Sequence, residues 1–277
     1  MYRTTFKPGF FNPRRSRLRL LASAAVLSAL MLGGCQTAQM TTTAGVSEPA
    51  APRTEADWRR ESQIWGERYR KNPADPQAAI RYGQALRALG QRAQAVAVLE
   101  QSSIQNPKNM AVLGAYGRAL ADAGQLPQAL DVLSRAHTPD QPDWRILSAQ
   151  GAVLDQMGRH DEARRHYFSA LRIVPDEPSV MSNLGLSYAL SKNLSEAEET
   201  LRRAHTLNSN EPRVRQNLAL VIGLQGRFQE AEQIARADLS PEEASANLNY
   251  LRNMLAAEKS NKGKPPARPV RQAANNS

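Results

Sequence analysis

The sequence predicts an all-α fold, a right-handed solenoid of stacked helix–turn–helix repeats, and three superimposed residue series carry that expectation. Gly83, Gly117, Gly151 and Gly185 stand 34 residues apart, with Ala219 at the next step. Ala95, Ala129, Ala163, Ala197 and Ala231 keep the same spacing without a miss. Gly90, Gly124, Gly158 and Gly226 form a third series, interrupted once by Lys192. A fixed period of this length marks a repeat architecture, in which each unit buries its apolar face only against its neighbours.

Each series has a physical reason. The Gly or Ala of the first helix and the Ala of the second belong where two helices cross closely, since a larger side chain would push the pair apart. The glycine between them ends the first helix in the left-handed conformation that a C-cap favours. Pro73, Pro107 and Pro175 sit at matching sites near repeat ends, where a proline stops the second helix. Leu86, Leu99, Leu113, Leu120, Leu133, Leu147, Leu154, Tyr167, Leu184, Tyr188 and Leu201 are the large apolar residues that fill the crossings. In period and phase the pattern resembles the tetratricopeptide repeat (TPR), whose unit is a pair of antiparallel helices.

The boundaries follow from this phase. Five repeats span 76–109, 110–143, 144–177, 178–211 and 212–245. A helix from Glu55 to Lys71 falls where the second helix of an earlier repeat would fall, and it makes 55–75 a half-repeat cap with Trp58, Ile64, Trp65 and Tyr69 to pack. At the other end, Ser240-Pro241-Glu242-Glu243 reads as a helix start, with a serine N-cap, proline in the first turn and glutamate three residues on. The helix it opens, over 240–258, places Leu248, Leu251 and Leu255 on one face to cover the last repeat. The repeat domain is therefore 55–258.

Ahead of this domain, Arg14, Arg15, Arg17 and Arg19 precede the uncharged stretch Leu20 to Leu32. A basic region followed by an apolar run is the pattern of an export signal, and 13 residues fall short of the roughly 20 that span a bilayer. Leu32-Gly33-Gly34-Cys35 follows, containing the only cysteine of the chain. It resembles the lipobox of bacterial lipoproteins, which implies cleavage after Gly34 and a diacylglycerol on Cys35; the alternative is an ordinary cleaved signal with an incidental cysteine. Residues 1–34 are then the lipoprotein signal peptide. Two or three acyl chains hold a protein to a membrane essentially permanently, where one holds only marginally. Gln36, rather than aspartate, at the second mature position implies the outer membrane under the enterobacterial sorting rule. Residues 35–54 carry no apolar periodicity and read as a lipidated flexible tether.

Charge excludes one class of partner. The net charge of +10 suggests nucleic acid until it is mapped along the chain. Residues 1–34 hold six Lys/Arg and residues 259–277 hold five, with no Asp or Glu in either. The body, 35–258, carries 25 Lys/Arg against 26 Asp/Glu, so no basic nucleic-acid-binding face is expected. Residues 259–277 read as a disordered basic tail, most simply a solvated end. Catalysis has little to stand on: His137 and His205 fall late in second helices, His160 and His166 are six apart, and no phosphate-binding glycine loop is present. No enzyme, metal, cofactor or small-molecule substrate is expected.

A solenoid of this kind binds protein segments along the face lined by its first helices. TPR geometry puts the second, fifth, ninth, twelfth and thirteenth residues of each repeat there. In the first three repeats these include Gln77, Gln84, Arg87, Arg118, Asp122, Arg145, Asp155 and Gln156, a polar strip of mixed charge. In the last two they include Leu186, Leu190, Leu220 and Leu224, with Ala189 and Gly223 between. The leucines are either an apolar docking strip or a surface that the C-terminal helix or the superhelical turn already covers.

The segment from Val214 to Leu255 narrows the family. Its "RQNLAL", "GLQGRFQEAE" and "ANLNYLRNML" resemble the end of the TadD family of tight-adherence (Flp) pilus lipoproteins, and the lipobox and five repeats match that architecture. The resemblance implies a non-enzymatic assembly factor on the periplasmic face of the outer membrane, with the secretin or other pilus components as partners. Type IV pilus pilotins, and TPR adaptors for peptidoglycan hydrolases or outer-membrane protein assembly, share the same general plan.

Overall fold

In the computed structural model, residues 54–262 are described. The signal segment, Cys35, the tether up to residue 53 and the tail beyond 262 lie outside the described residues. Twelve helices and no strand occur among the described residues: α1 (Glu55–Lys71), α2 (Pro76–Ala88), α3 (Arg92–Gln105), α4 (Met110–Asp122), α5 (Leu126–Ser134), α6 (Trp144–Gln156), α7 (His160–Ile173), α8 (Pro178–Leu190), α9 (Leu194–Leu207), α10 (Pro212–Leu224), α11 (Phe228–Ala235) and α12 (Pro241–Lys262). The paired-helix solenoid follows directly, since each helix packs on the next. The first helices α2, α4, α6, α8 and α10 also pack on one another from repeat to repeat, which makes them the layer on the inside of the curve.

The glycine series does what its spacing predicts. A Cβ on Gly83 would stand 2.6 Å from Leu99, one on Gly117 2.5 Å from Leu133, one on Gly151 2.6 Å from Tyr167, and one on Gly185 2.6 Å from Leu201. The large partner always comes 16 residues later. In repeat 5 the volumes are exchanged: Ala219 replaces the glycine and Ala235 replaces the large partner, and both are buried in one cluster. At the ends of the first helices, Gly90, Gly124, Gly158 and Gly226 take φ of +70° to +85°, and Lys192 takes +66° in the same place. The following N–H then reaches back to a helix carbonyl, as from Gln91 to Leu86 and from Asn193 to Tyr188, both at 2.9 Å.

Both ends are capped. Thr54 and Asp57 form a capping box ahead of α1, and Trp65 and Tyr69 of that helix pack against the first core cluster. Ile64, expected to pack there, is exposed, because it faces away from the Gly66–Tyr82 contact that sets the helix down. Ser240 and Glu243 form the reciprocal box that opens α12, which carries Leu248 and Leu251 into the last cluster. This helix runs to Lys262, four residues beyond the expected end, since its sequence meets no glycine or proline until Gly263. The turn before it is held by Arg215, which donates to both carboxylate oxygens of Asp238.

Two second helices are shorter than their equivalents. α5 stops at Ser134, and a turn in which Gln141 bonds to Thr138 takes the place of its last residues. Here the repeat carries Pro139 and Pro142 in place of a proline at 141; a proline at 139 bars helical backbone at Thr138 and removes an N–H from the last turn. His137 consequently lies beyond α5 and not within a helix. α11 ends at Ala235, where the Arg215–Asp238 turn begins. On the outer face, Glu198, Arg202, Arg227 and Glu230 close a four-membered ring of ion pairs that joins α9 to α11.

Candidate protein-binding groove

The groove is built from one side of each first helix. In repeats 1–3 it contains three arginines, one per helix: Arg87 on α2, Arg118 on α4 and Arg145 on α6. Arg87 donates from Nε to Asp122 at 2.6 Å, a contact between neighbouring repeats. Arg145 is exposed, with its guanidinium 4.4 Å above the Trp144 ring. Asp143, whose carboxylate accepts the Arg145 backbone N–H, caps α6. Arg118 lies between them, half-buried, with its terminal nitrogens 3.7 Å from where a Cβ on Gly114 would stand. It makes no ion pair among the described residues, although Asp122 and Asp143 are near enough to act on it. Burial, and then the Arg87 charge, push its pKa below the ordinary arginine value; the two aspartates oppose them.

Gln156 is exposed as its position predicts, whereas Asp155 is turned inward. The Asp155 side chain is 8% exposed and accepts from Tyr167 at 2.9 Å and Ser187 at 2.8 Å, with His160 Nδ1 at 2.9 Å. Burial and the adjacent Asp155 push the Tyr167 hydroxyl pKa well up. Ser187 and His160 both meet the same oxygen, Oδ1, so the carboxylate receives the serine hydroxyl and no imidazole is placed to activate it. The cluster therefore ties α6, α7 and α8 together, and Asp155 leaves the groove surface. A charged residue at the twelfth position reads as solvent-facing unless its partners, 5, 12 and 32 residues away, are known to converge.

In repeats 4 and 5 all four leucines are half-buried. Leu220 and Leu224 pack against the cluster that Leu248 and Leu251 of α12 complete, and a Cβ on Gly223 would meet Leu251 at 2.7 Å. The C-terminal helix thus lies over this end of the groove, and the strip leucines outside that cluster are Leu186 and Leu190. A feature not anticipated is a polar ladder between first helices. Asn183 donates to Ser148 at 3.0 Å and Asn217 donates to Ser182 at 2.9 Å, each pair 35 residues apart. Its signal was present, since the two serines and the two asparagines each recur at 34.

Elsewhere, an open pocket of about 460 Å³ between α7, α8 and α9 is floored by Phe168, Leu171, Met181, Leu184 and Tyr188, with the Asp176–Arg203 pair beside it. His166 is held below the usual histidine pKa by burial and then by His137. Among the described residues, no group of three or more His, Cys, Asp or Glu side chains is arranged to hold a metal ion.

Comparison with known proteins matches this architecture. The tetratricopeptide-repeat family matches over residues 86–151, 148–212 and 212–237. No curated protein matches the sequence. Among solved structures, the chain is similar to the Cut9–Hcn1 hetero-tetramer of the APC/C, with a TM-score of 0.61 and 14% identity over 75% of this chain; it spans only 41% of that one. It is similar to PilW, described as a widely conserved type IV pilus biogenesis factor, with a TM-score of 0.59 and 16% identity over 70% of this chain and 91% of that one. It is also similar to PilF of Pseudomonas aeruginosa, with a TM-score of 0.51 and 18% identity over 68% and 93%. At these identities the likeness is one of fold.

Proposed function

This chain is a tetratricopeptide-repeat protein, and from that premise we propose that it is a lipid-anchored, non-catalytic scaffold that holds other envelope proteins during assembly of a tight-adherence (Flp) pilus. Repeat solenoids of this family present a surface for other proteins, not a reaction centre. The observation that carries the reading is a continuous layer of five first helices placed behind a Leu-Gly-Gly-Cys sequence. A permanent anchor at Cys35 would confine the groove to a thin layer beside the membrane and raise its effective concentration for partners fixed there. The TadD-like ending from Val214 to Leu255 supports the tight-adherence system, with the secretin or another pilus component as client and the periplasmic face of the outer membrane as the location.

The fold shared with PilW supports a second reading, a pilotin-like factor of a type IV pilus. One experiment separates them. A photo-crosslinking residue at Gln156, exposed on the groove, is expected to capture the tight-adherence secretin or a neighbouring pilus component in living cells. Capture of a type IV secretin selects the second reading, and capture of peptidoglycan hydrolases or barrel-assembly proteins removes both. In the same cells Cys35→Ser is expected to move the protein from the membrane to the soluble fraction. Continued membrane association of that variant would end the lipid-anchor proposal.

A further inference from the structure

Arg118 is a groove arginine that is half-buried and yet forms no ion pair among the described residues. Arg87 has Asp122, and Arg145 is open to water and stacked on Trp144. Arg118 is drawn back against Gly114, at the junction with Ile146 of the next repeat, and no carboxylate reaches it among the described residues. A guanidinium removed from water without a counter-ion costs free energy, and an apolar side chain of similar length would cost less. The absence of a side chain at Gly114 makes room for Ile146, which a Cβ there would meet at 2.6 Å, and leaves the guanidinium in ordinary contact alongside at 3.7 Å. The aspartates that could approach are already engaged, Asp122 by Arg87 and Asp143 by the α6 backbone.

Resting on the scaffold reading above, we propose that the N-terminal half of the groove takes an acidic segment of the client, an internal stretch bearing Asp or Glu side chains, with Arg118 as its central contact. The geometry favours a segment over a chain terminus. The three arginines sit on three successive first helices, and two helix-to-helix steps of about 8–10 Å, with a drift of about 15 Å along the helix axes, spread them over about 22–25 Å. A single terminal carboxylate answers one or two of them, whereas an extended stretch covers that distance in about seven residues. Their places in the repeat, twelfth, ninth and second, make the track diagonal, so the segment would cross the helices obliquely. Charge complementarity acts on the same track: three cations face it against two carboxylates that are already occupied.

The test is panning of short random displayed peptides on the full chain, in parallel with Arg118→Met. The expected result is enrichment of peptides with two or more spaced Asp or Glu residues, lost on the variant, and affinity of the selected peptides about tenfold or more lower for it. The variant is expected to melt at the same temperature or slightly higher, because burial and the Arg87 charge outweigh the pull of Asp122 and Asp143 on the replaced cation. That second readout distinguishes a binding cation from a structural one. Enrichment of neutral peptides, or of acidic ones that persist on Arg118→Met, overturns this proposal and leaves the scaffold reading standing. Enrichment of nothing also overturns it, and the scaffold reading is then decided by the crosslinking at Gln156. A clear drop in melting temperature with Arg118→Met would assign the arginine to the fold instead.

Discussion

An ion pair joins the first helices across the α2–α4 junction, whereas hydrogen bonds from serine and asparagine side chains join them across the α6–α8 and α8–α10 junctions. Arg87 bonds to Asp122 across one junction and Arg118 stands unpaired beside it, while at the later junctions the buried pair Asn217–Ser182 and the half-buried pair Asn183–Ser148 join the same helix faces. The C-terminal end is also closed by α12 over Leu220, Gly223 and Leu224, whereas α1 packs on the first core cluster through Trp65 and Tyr69. Outside, repeats 4 and 5 are fastened by the Glu198–Arg202–Arg227–Glu230 ring. One repeat plan therefore carries two kinds of junction, fully paired ones at the C-terminal end and, at the other, one beside a half-buried arginine that forms no ion pair among the described residues.

What the two ends share is the helix crossing, so breaking it gives the largest effect. Gly151→Leu would drive a side chain into the Tyr167 ring, which is almost fully buried and already fixed by its bond to Asp155. Overpacking of this kind costs about 3 kcal/mol or more, because neither partner can withdraw. A fall in melting temperature of about 6–12 °C is expected in a thermal scan followed by circular dichroism. In contrast, Ala219→Gly at the same position of repeat 5 should cost only about 1 kcal/mol, since Ala235 already leaves space. Equal losses would mean that the exchanged pair is no different from the others.

The leucines sharpen the comparison further. Leu220→Asp would put a carboxylate against the cluster that α12 completes and is expected to cost about 2 kcal/mol, lowering the melting temperature by about 4–8 °C. Leu186→Asp, on the part of the strip outside that cluster, is expected to change stability less and to weaken client capture more. If both variants unfold alike, Leu186 belongs to the core and the groove ends at repeat 3.

Much of this was legible in the sequence, and the reason is periodicity. Every large apolar residue expected at a crossing is buried except Tyr188, which is half-buried, and each left-handed cap occurs at its expected residue. A residue whose neighbours repeat with it can be placed from spacing alone. Asp155 could not be placed so, because its three partners come from two other helices, α7 and α8, and none recurs at 34. The early end of α5 was marked by Pro139 and Pro142 but overridden by the assumption of equal repeats. Spacing left Leu220 and Leu224 open between exposed strip and covered surface for a related reason: α12 lies outside the period, so where it lands is a matter of tertiary packing.

The ion-pair ring adds a pH dependence at the C-terminal end. Burial would raise the Glu198 pKa, but hydrogen bonds from Arg227, Arg202 and Gln225 outweigh it and hold the carboxyl at about 2. A carboxylate depressed in the folded state stabilises it above the unfolded pKa, and that contribution is lost as pH falls through the folded value. The window is therefore from about pH 4.5 down to about 2. Allowing for screening at a partly solvated site, the loss is about 1–2 kcal/mol. Glu198→Gln should flatten the melting-temperature profile over that window and change little at neutral pH beyond its own cost. A profile as steep as the parent's would place the acid sensitivity elsewhere.

The smallest effect expected is at Lys192, where the cap series departs from glycine. The residue is exposed, and its φ of +66° falls with the +70° to +85° of the four capping glycines. At those glycines a Cβ would meet nothing within 4 Å, so the preference is conformational and not a matter of room. A side chain in the left-handed region costs about 1 kcal/mol, and the greater freedom of glycine in the unfolded chain offsets part of the gain from removing it. Lys192→Gly is thus expected to stabilise the fold by about 0.5 kcal/mol, a rise of about 1–2 °C in the melting temperature. Gly124→Lys, the reverse change at the equivalent cap in the N-terminal half, should lower it by a similar amount. Opposite signs at the two sites would show that both ends obey one capping rule, and that their difference lies in the groove; two losses would mean that Lys192 is held there by contacts of its own.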